Sequence, residues 1–184
     1  MFELKRKLIH FLGLSVPILY CCTSWEVTIV FVGIAVVSAV SIEIGRLRWP
    51  RFNDCIFCII GGYTREHEQK RITGATYYAV AALVAVGLFS KWVAISGLLF
   101  LTLGDAVAAL VGTRFGTHRV FDKSAEGSLA CFSVCAVVGW ILLGWVGMLG
   151  AAAATIIELL PIPVDDNLRI PVVSGVLMEL MLVL

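Results

Sequence analysis

Apolar stretches follow one another along this chain with little polar sequence between them, and that limits its fold more than any motif does. Residues 25–44 form a run of about 20 residues, enough for one helix to cross a bilayer core. Further runs cover residues 8–22, 74–90, 92–111, 127–143, 145–160 and 170–184, and Gly144 alone parts two of them. Lipid offers no water to backbone N–H and C=O groups, so such runs fold as helices. The composition agrees: of 184 residues 60% are hydrophobic and 15% charged, with a mean hydropathy of +0.97. These values exclude an ordinary soluble domain. The expectation is an all-α polytopic integral membrane bundle of about seven transmembrane helices, one domain over residues 1–184.

Charge gives the bundle an orientation. With seven spans, all of the fourteen Lys and Arg residues except Lys91 fall on one side. The positive-inside rule makes that side cytoplasmic, N-terminus included. Residues 8–22 follow a basic start, as a signal peptide would, but no small-residue cleavage site follows, so they read as a first helix. The longest polar connection, 46–73, holds an apolar patch at 55–60 that is too short to span and reads as interfacial or re-entrant. Its charged run, 65–71, is equally suited to anionic lipid headgroups. The six cysteines lie mostly within apolar segments, and Cys55 and Cys58, a C-x-x-C without a second ligand pair, are expected as buried packing residues. Net charge is +1 and no long basic patch occurs, which speaks against a nucleic-acid partner.

Chemistry concentrates in residues 104–128, GDAVAALVGTRFGTHRVFDKSAEGS. Asp105 sits inside an apolar run, where a carboxylate is costly and marks a working site. Gly112 and Gly116 allow close approach of backbone to a phosphate, and Lys123, Ser124 and the helix start at Gly127-Ser128 can hold it. No G-x-x-x-x-G-K-[ST] loop is present, which excludes a P-loop enzyme. Glu43 and the Asp165-Asp166-Asn167 triplet lie on the same expected face, with Arg46 and Arg65 beside them. Acids and an amide from separate helices suit Mg²⁺ bound with a polyphosphate. Arg and Lys would hold the phosphate oxygens as a group is transferred. The residues therefore point to metal-assisted phosphoryl or nucleotidyl transfer to a membrane lipid, with a small cation transporter as the reading from another class.

Several motifs in order resemble the polyprenol kinase family, which includes dolichol, phytol and farnesol kinases and the CTP-dependent diacylglycerol kinase. They are E-L-K-R-K-x-x-H at 3–10, E-x-x-R at 43–46 and R-x-x-E at 65–68 with R-I-T-G-A-T-Y at 71–77. G-D-A-V-A-A-L-V-G-x-x-x-G at 104–116, K-S-A-E-G-S at 123–128 and E-L-L-P-x-x-x-D-D-N-L at 158–168 complete the set. The resemblance implies a CTP-dependent kinase that transfers the γ-phosphate of CTP, with Mg²⁺ or another divalent cation, to the hydroxyl of a lipid alcohol, releasing CDP. It also implies site roles. Asp105 and Asp166 would hold the metal. Gly104, Gly112, Gly116, Lys123, Ser124, Gly127, Ser128, Arg46, Arg65 and Asn167 would bind nucleotide phosphates. Glu126, Glu43 or His10 would activate the lipid hydroxyl, and Glu158 would line the site. The G-D…K-x-x-E-G portion also resembles phosphatidate cytidylyltransferase, whose longer C-terminal signature is missing here.

Overall fold

The computed structural model describes residues 11–61 and 66–184. A 3₁₀ turn, Phe11–Leu14, leads into α1 (Ser15–Cys22), followed by α2 (Trp25–Arg48) and α3 (Pro50–Ile60). A second 3₁₀ turn, Glu66–Lys70, precedes α4 (Gly74–Leu88). Helix α5 (Lys91–Phe115) carries a π-helical turn at Phe100–Gly104. A short antiparallel hairpin, β1 (Arg119–Val120) and β2 (Lys123–Ser124), joins it to α6 (Ala125–Leu143). Helices α7 (Trp145–Leu159) and α8 (Asp166–Val183) complete the chain.

The all-α expectation holds. Among the described residues α2, α5 and α6 are long and apolar enough to cross a bilayer, and α4 and α7 are shorter apolar helices. The short patch expected at 55–60 lies within α3, an amphipathic helix that starts on Pro50 at its first turn. There Pro costs nothing, because its missing N–H has no helical partner anyway.

Helix α5 is the centre of the molecule. Two-thirds of its most apolar window is buried, against about a sixth for α2. One core packs Phe100, Leu101 and Ala108 of α5 on Cys131 and Cys135 of α6, Ala151 and Ala154 of α7, and Ile170 and Met178 of α8. The other packs Ala94, Ile95 and Leu98 of α5 on Val16, Tyr20, Val32, Ala82 and Val86. Helix α2 instead exposes Val27, Val30, Phe31, Ile34 and Val37, a face fitted to lipid rather than water. Helices α6 and α7 meet at Gly139 and Gly147, where a Cβ on either residue would strike the other backbone. Small residues permit that approach where no hydrophobic force draws helices together.

The cysteine expectation is corrected. Cys131 and Cys135 are buried, but Cys21, Cys22, Cys55 and Cys58 are exposed. An apolar environment does not require protein burial when the outer surface itself is apolar.

Candidate active site

The π turn stands immediately before Asp105. It carries one more residue per turn than α-helix, so it rotates the following segment by about 100° relative to an uninterrupted helix. Downstream of it, Asp105, Ala108, Ala109, Gly112 and Thr113 fall at helical spacing and line a cavity of roughly 450 Å³. Gly116, Arg119, Asp122, Lys123 and Ser124 close its hairpin side, and Gly127, Ser128, Glu158 and Asp166 complete the wall. Four elements thus meet around it: the second half of α5, the hairpin, the start of α6, and the α7–α8 junction.

Three glycines bring the walls together over Ser124. A Cβ on Gly112 would sit 2.7 Å from Ser124 Oγ, and one on Gly116 would sit 2.8 Å from Ser124 Cβ. A Cβ on Gly127 would meet the Ala108 carbonyl oxygen at 2.7 Å, backbone that has no rotamer to yield. Ser124 also caps α6, its Oγ accepting from the Gly127 N–H at 3.1 Å. The α6 N-terminus therefore opens on the cavity and supplies the positive end of a helix dipole, an environment that favours phosphate.

Lys123 ties the hairpin to the α7–α8 junction. Its ammonium donates to both the backbone and side-chain oxygens of Glu158 and to Asp166 Oδ2 at 3.1 Å. Asp166 Oδ1 accepts from Arg169 Nε at 2.7 Å. Helix α8 begins here because Asp165 caps it, accepting from the Asn167 N–H at 2.9 Å. Glu158 is only 3% exposed, and its second oxygen, Oε2, has no hydrogen-bond partner; the Ser128 hydroxyl is likewise buried without one. Unsatisfied buried polar atoms are costly in a resting protein and call for an explanation.

The structure thus brings Asp105, Gly112, Gly116, Lys123, Ser124, Gly127, Ser128 and Asp166 to one cavity, together with Glu158. Other residues named from the sequence lie elsewhere. Gly104 packs against Cys131 and Cys135 behind the cavity wall. Asn167 turns its amide to Asp165 and lies against Gly74. Glu126 binds the hairpin, accepting from Thr117 Oγ1 at 2.6 Å and the His118 N–H at 3.1 Å. Glu43 and Arg46 form a buried ion pair that holds residues 68–76 against α2. His10 and Arg65 fall outside the described residues.

Sequence reasoning missed Thr113 and Asp122. The first had a signal, since it lies eight residues after Asp105 on the same helix face, but the helix end had been placed at Val111. The second had none: Asp122 enters through the hairpin turn at Phe121, whose φ of 53° is rare for a non-glycine residue.

A divalent cation can be tested against these residues. Asp105 and Asp166 offer the hard oxygens Mg²⁺ takes, and buried Glu158 and Ser128 oxygens without partners lie on the same wall. Among the described residues no three His, Cys, Asp or Glu side chains converge to cage an ion. Mg²⁺ asks for less than such a cage: it takes one or two carboxylates and completes its shell with water and substrate phosphate.

Comparison with known proteins returns lipid kinases. The chain is 26% identical to the "CTP-dependent diacylglycerol kinase 1" of Schizosaccharomyces pombe, over 98% of this chain and 94% of that protein. It is 27% identical to the protein of the same name from Saccharomyces cerevisiae, over 75% of this chain and 58% of the relative. It is also 30% identical to a "Probable phytol kinase, chloroplastic" of Triticum aestivum, over 63% and 47% respectively. These relatives support the resemblance to the polyprenol kinase family. The motifs at 104–116 and 123–128 that carry the resemblance supply most of the cavity lining. No family model matches the chain, and no solved structure does.

Proposed function

We propose that this protein is a CTP-dependent lipid kinase, its single transmembrane domain transferring the γ-phosphate of CTP to the hydroxyl of a membrane lipid alcohol, a diacylglycerol or a prenol. The observation that carries this reading is the cavity in which Asp105 and Asp166 face a glycine-lined phosphate cradle, Lys123 and Arg119. The names of the relatives supply the nucleotide and the two acceptor classes.

The chain's own groups divide the work. Gly112, Gly116 and Gly127 keep the cradle free of side chains, so that phosphate oxygens can reach the α6 N-terminus. Lys123 and Arg119 hold those oxygens and spread charge during transfer, which in phosphoryl transfer is most of the catalysis. Asp105 and Asp166 would hold Mg²⁺, which when bound neutralises charge on the phosphates. The apolar helix surfaces bring the lipid to this end of the bundle, and the excess of Lys and Arg makes that end cytoplasmic.

Purified protein in mixed micelles with Mg²⁺ is given CTP labelled at either the α- or the γ-phosphate, with diacylglycerol, prenols and phosphatidate supplied separately. Label should reach lipid from the γ-position only, and only with an alcohol. Label passing from the α-position into phosphatidate would replace the kinase by a cytidylyltransferase.

A further inference from the structure

The proposed transfer needs a group to take the proton of the lipid hydroxyl. Two acids named from sequence for this role are engaged elsewhere among the described residues. Glu43 uses both oxygens, accepting from Arg46, from the Thr73 N–H and hydroxyl at 3.1 Å, and from the Thr76 hydroxyl at 3.0 Å. Glu126 is engaged with Thr117 and His118 on the hairpin and does not line the cavity.

Glu158 differs from both. It lines the cavity and is almost wholly buried, yet only one carboxylate oxygen is occupied. Oε1 accepts from Lys123, which fixes the carboxylate's orientation, while Oε2 has no partner. Glu43 has both oxygens occupied outside the cavity; Glu158, held by one, keeps the other for a ligand. A second unpartnered group on the cavity wall, Ser128 Oγ, adds a position along the site. Ser128 lies one helical turn into α6 from the Ser124 cap, deeper along this apolar helix than the phosphate cradle. An alcohol rising from the bilayer would reach this level before it reached the phosphates.

Resting on the kinase reading above, we infer that Glu158 is the general base of the transfer, with Ser128 as a hydrogen-bonding guide for the acceptor hydroxyl. As the alcohol oxygen bonds to the γ-phosphorus, its proton passes to Glu158 Oε2. The bond from the γ-phosphorus to the bridging oxygen breaks, and the nucleoside diphosphate leaves with that electron pair. Glu158 then returns the proton to water through the cavity mouth. Asp105, Arg119, Asp122, Lys123 and Asp166 are the other charged groups on this wall, and each has the phosphate or cation role given above or lies at the hairpin rim.

The test compares Glu158→Gln and Glu158→Asp with the unaltered full chain in micelles, using an ordinary lipid alcohol and its more acidic β-fluorinated counterpart. Glu158→Gln should lower turnover of the ordinary alcohol by about 10²–10⁴-fold, the usual contribution of a general base. Mg²⁺–CTP binding, measured by equilibrium dialysis, should stay within about threefold, since the loss lies in the transition state. An acidified hydroxyl needs less help, so the gap between wild type and variant should narrow by about tenfold or more with the fluorinated acceptor. Glu158→Asp should recover part of the rate, and it gives the same two-acceptor comparison if the Gln variant fails to fold. An equal gap with both acceptors, or loss of nucleotide binding in both variants, would overturn the assignment and make Glu158 a structural or cation-holding acid. An unaltered protein that phosphorylates no alcohol would instead remove the kinase reading itself.

Discussion

The Glu43–Arg46 pair separates a structural acid from a catalytic one. Arg46 is 2% exposed and Glu43 6%, so both charges are removed from water. The Arg46 guanidinium donates to Glu43, to the Glu68 and Gln69 carbonyls at 2.9 and 3.3 Å and to the Arg71 carbonyl, and it lies 5.4 Å from the Phe57 ring centre. Truncating either partner leaves the other buried and uncompensated, a loss of about 3–5 kcal/mol. In a chain of this length that is a fall in melting temperature on the order of 10 °C. Replacing both residues with leucine removes both charges together, so the double variant should lose much less than the sum of the single truncations. The assay is thermal unfolding of Glu43→Ala, Arg46→Ala and Glu43→Leu/Arg46→Leu in one detergent, with turnover measured well below each transition. Turnover per folded molecule should stay within about threefold, because neither side chain lines the cavity. Single variants that melt like the wild type yet lose turnover would refute this and place the pair in the chemistry.

Asp105→Asn and Asp166→Asn should each cut turnover by about 10²-fold or more, and the double variant should be little worse than either, since parts of one catalytic unit are not additive; near-normal turnover of Asp105→Asn would end the metal assignment. In a cysteine-free background, Ser24→Cys should react with a membrane-impermeant thiol reagent in intact cells and Asp122→Cys only after lysis, as the basic asymmetry requires. Labelling of position 122 from outside would reverse the orientation.

The helices were legible because the bilayer leaves the backbone few choices: an apolar run of sufficient length must satisfy its hydrogen bonds internally. Hence the run at 127–143 matches α6, Ala125–Leu143, except for Ala125 and Glu126 at its start. The polar ends were harder. Asp165 and Asp166 suit either a site acid or a helix cap; Asp166 lines the cavity, and Asp165 caps α8, which starts four residues before the apolar run. Both roles suit the same residue type, and the choice depends on where the preceding loop delivers the backbone.

Within the cavity, the glycines, Lys123 and Asp105 were visible because their chemistry is unusual for a membrane chain. The pairings were not. Lys123 meets partners 35 and 43 residues away, and no local pattern encodes contacts that helix packing creates. Glu43 and Arg46 show the opposite failure. Their three-residue spacing places them on one helix face, but spacing says nothing of burial, and burial decides their role. Glu43, with both oxygens occupied and away from the cavity, holds the fold together. Glu158, equally buried but with one oxygen unoccupied in the cavity, is the acid positioned to accept a proton. That difference lies in the hydrogen bonds of the folded chain, which is why two glutamates indistinguishable as letters carry different expectations for mutation.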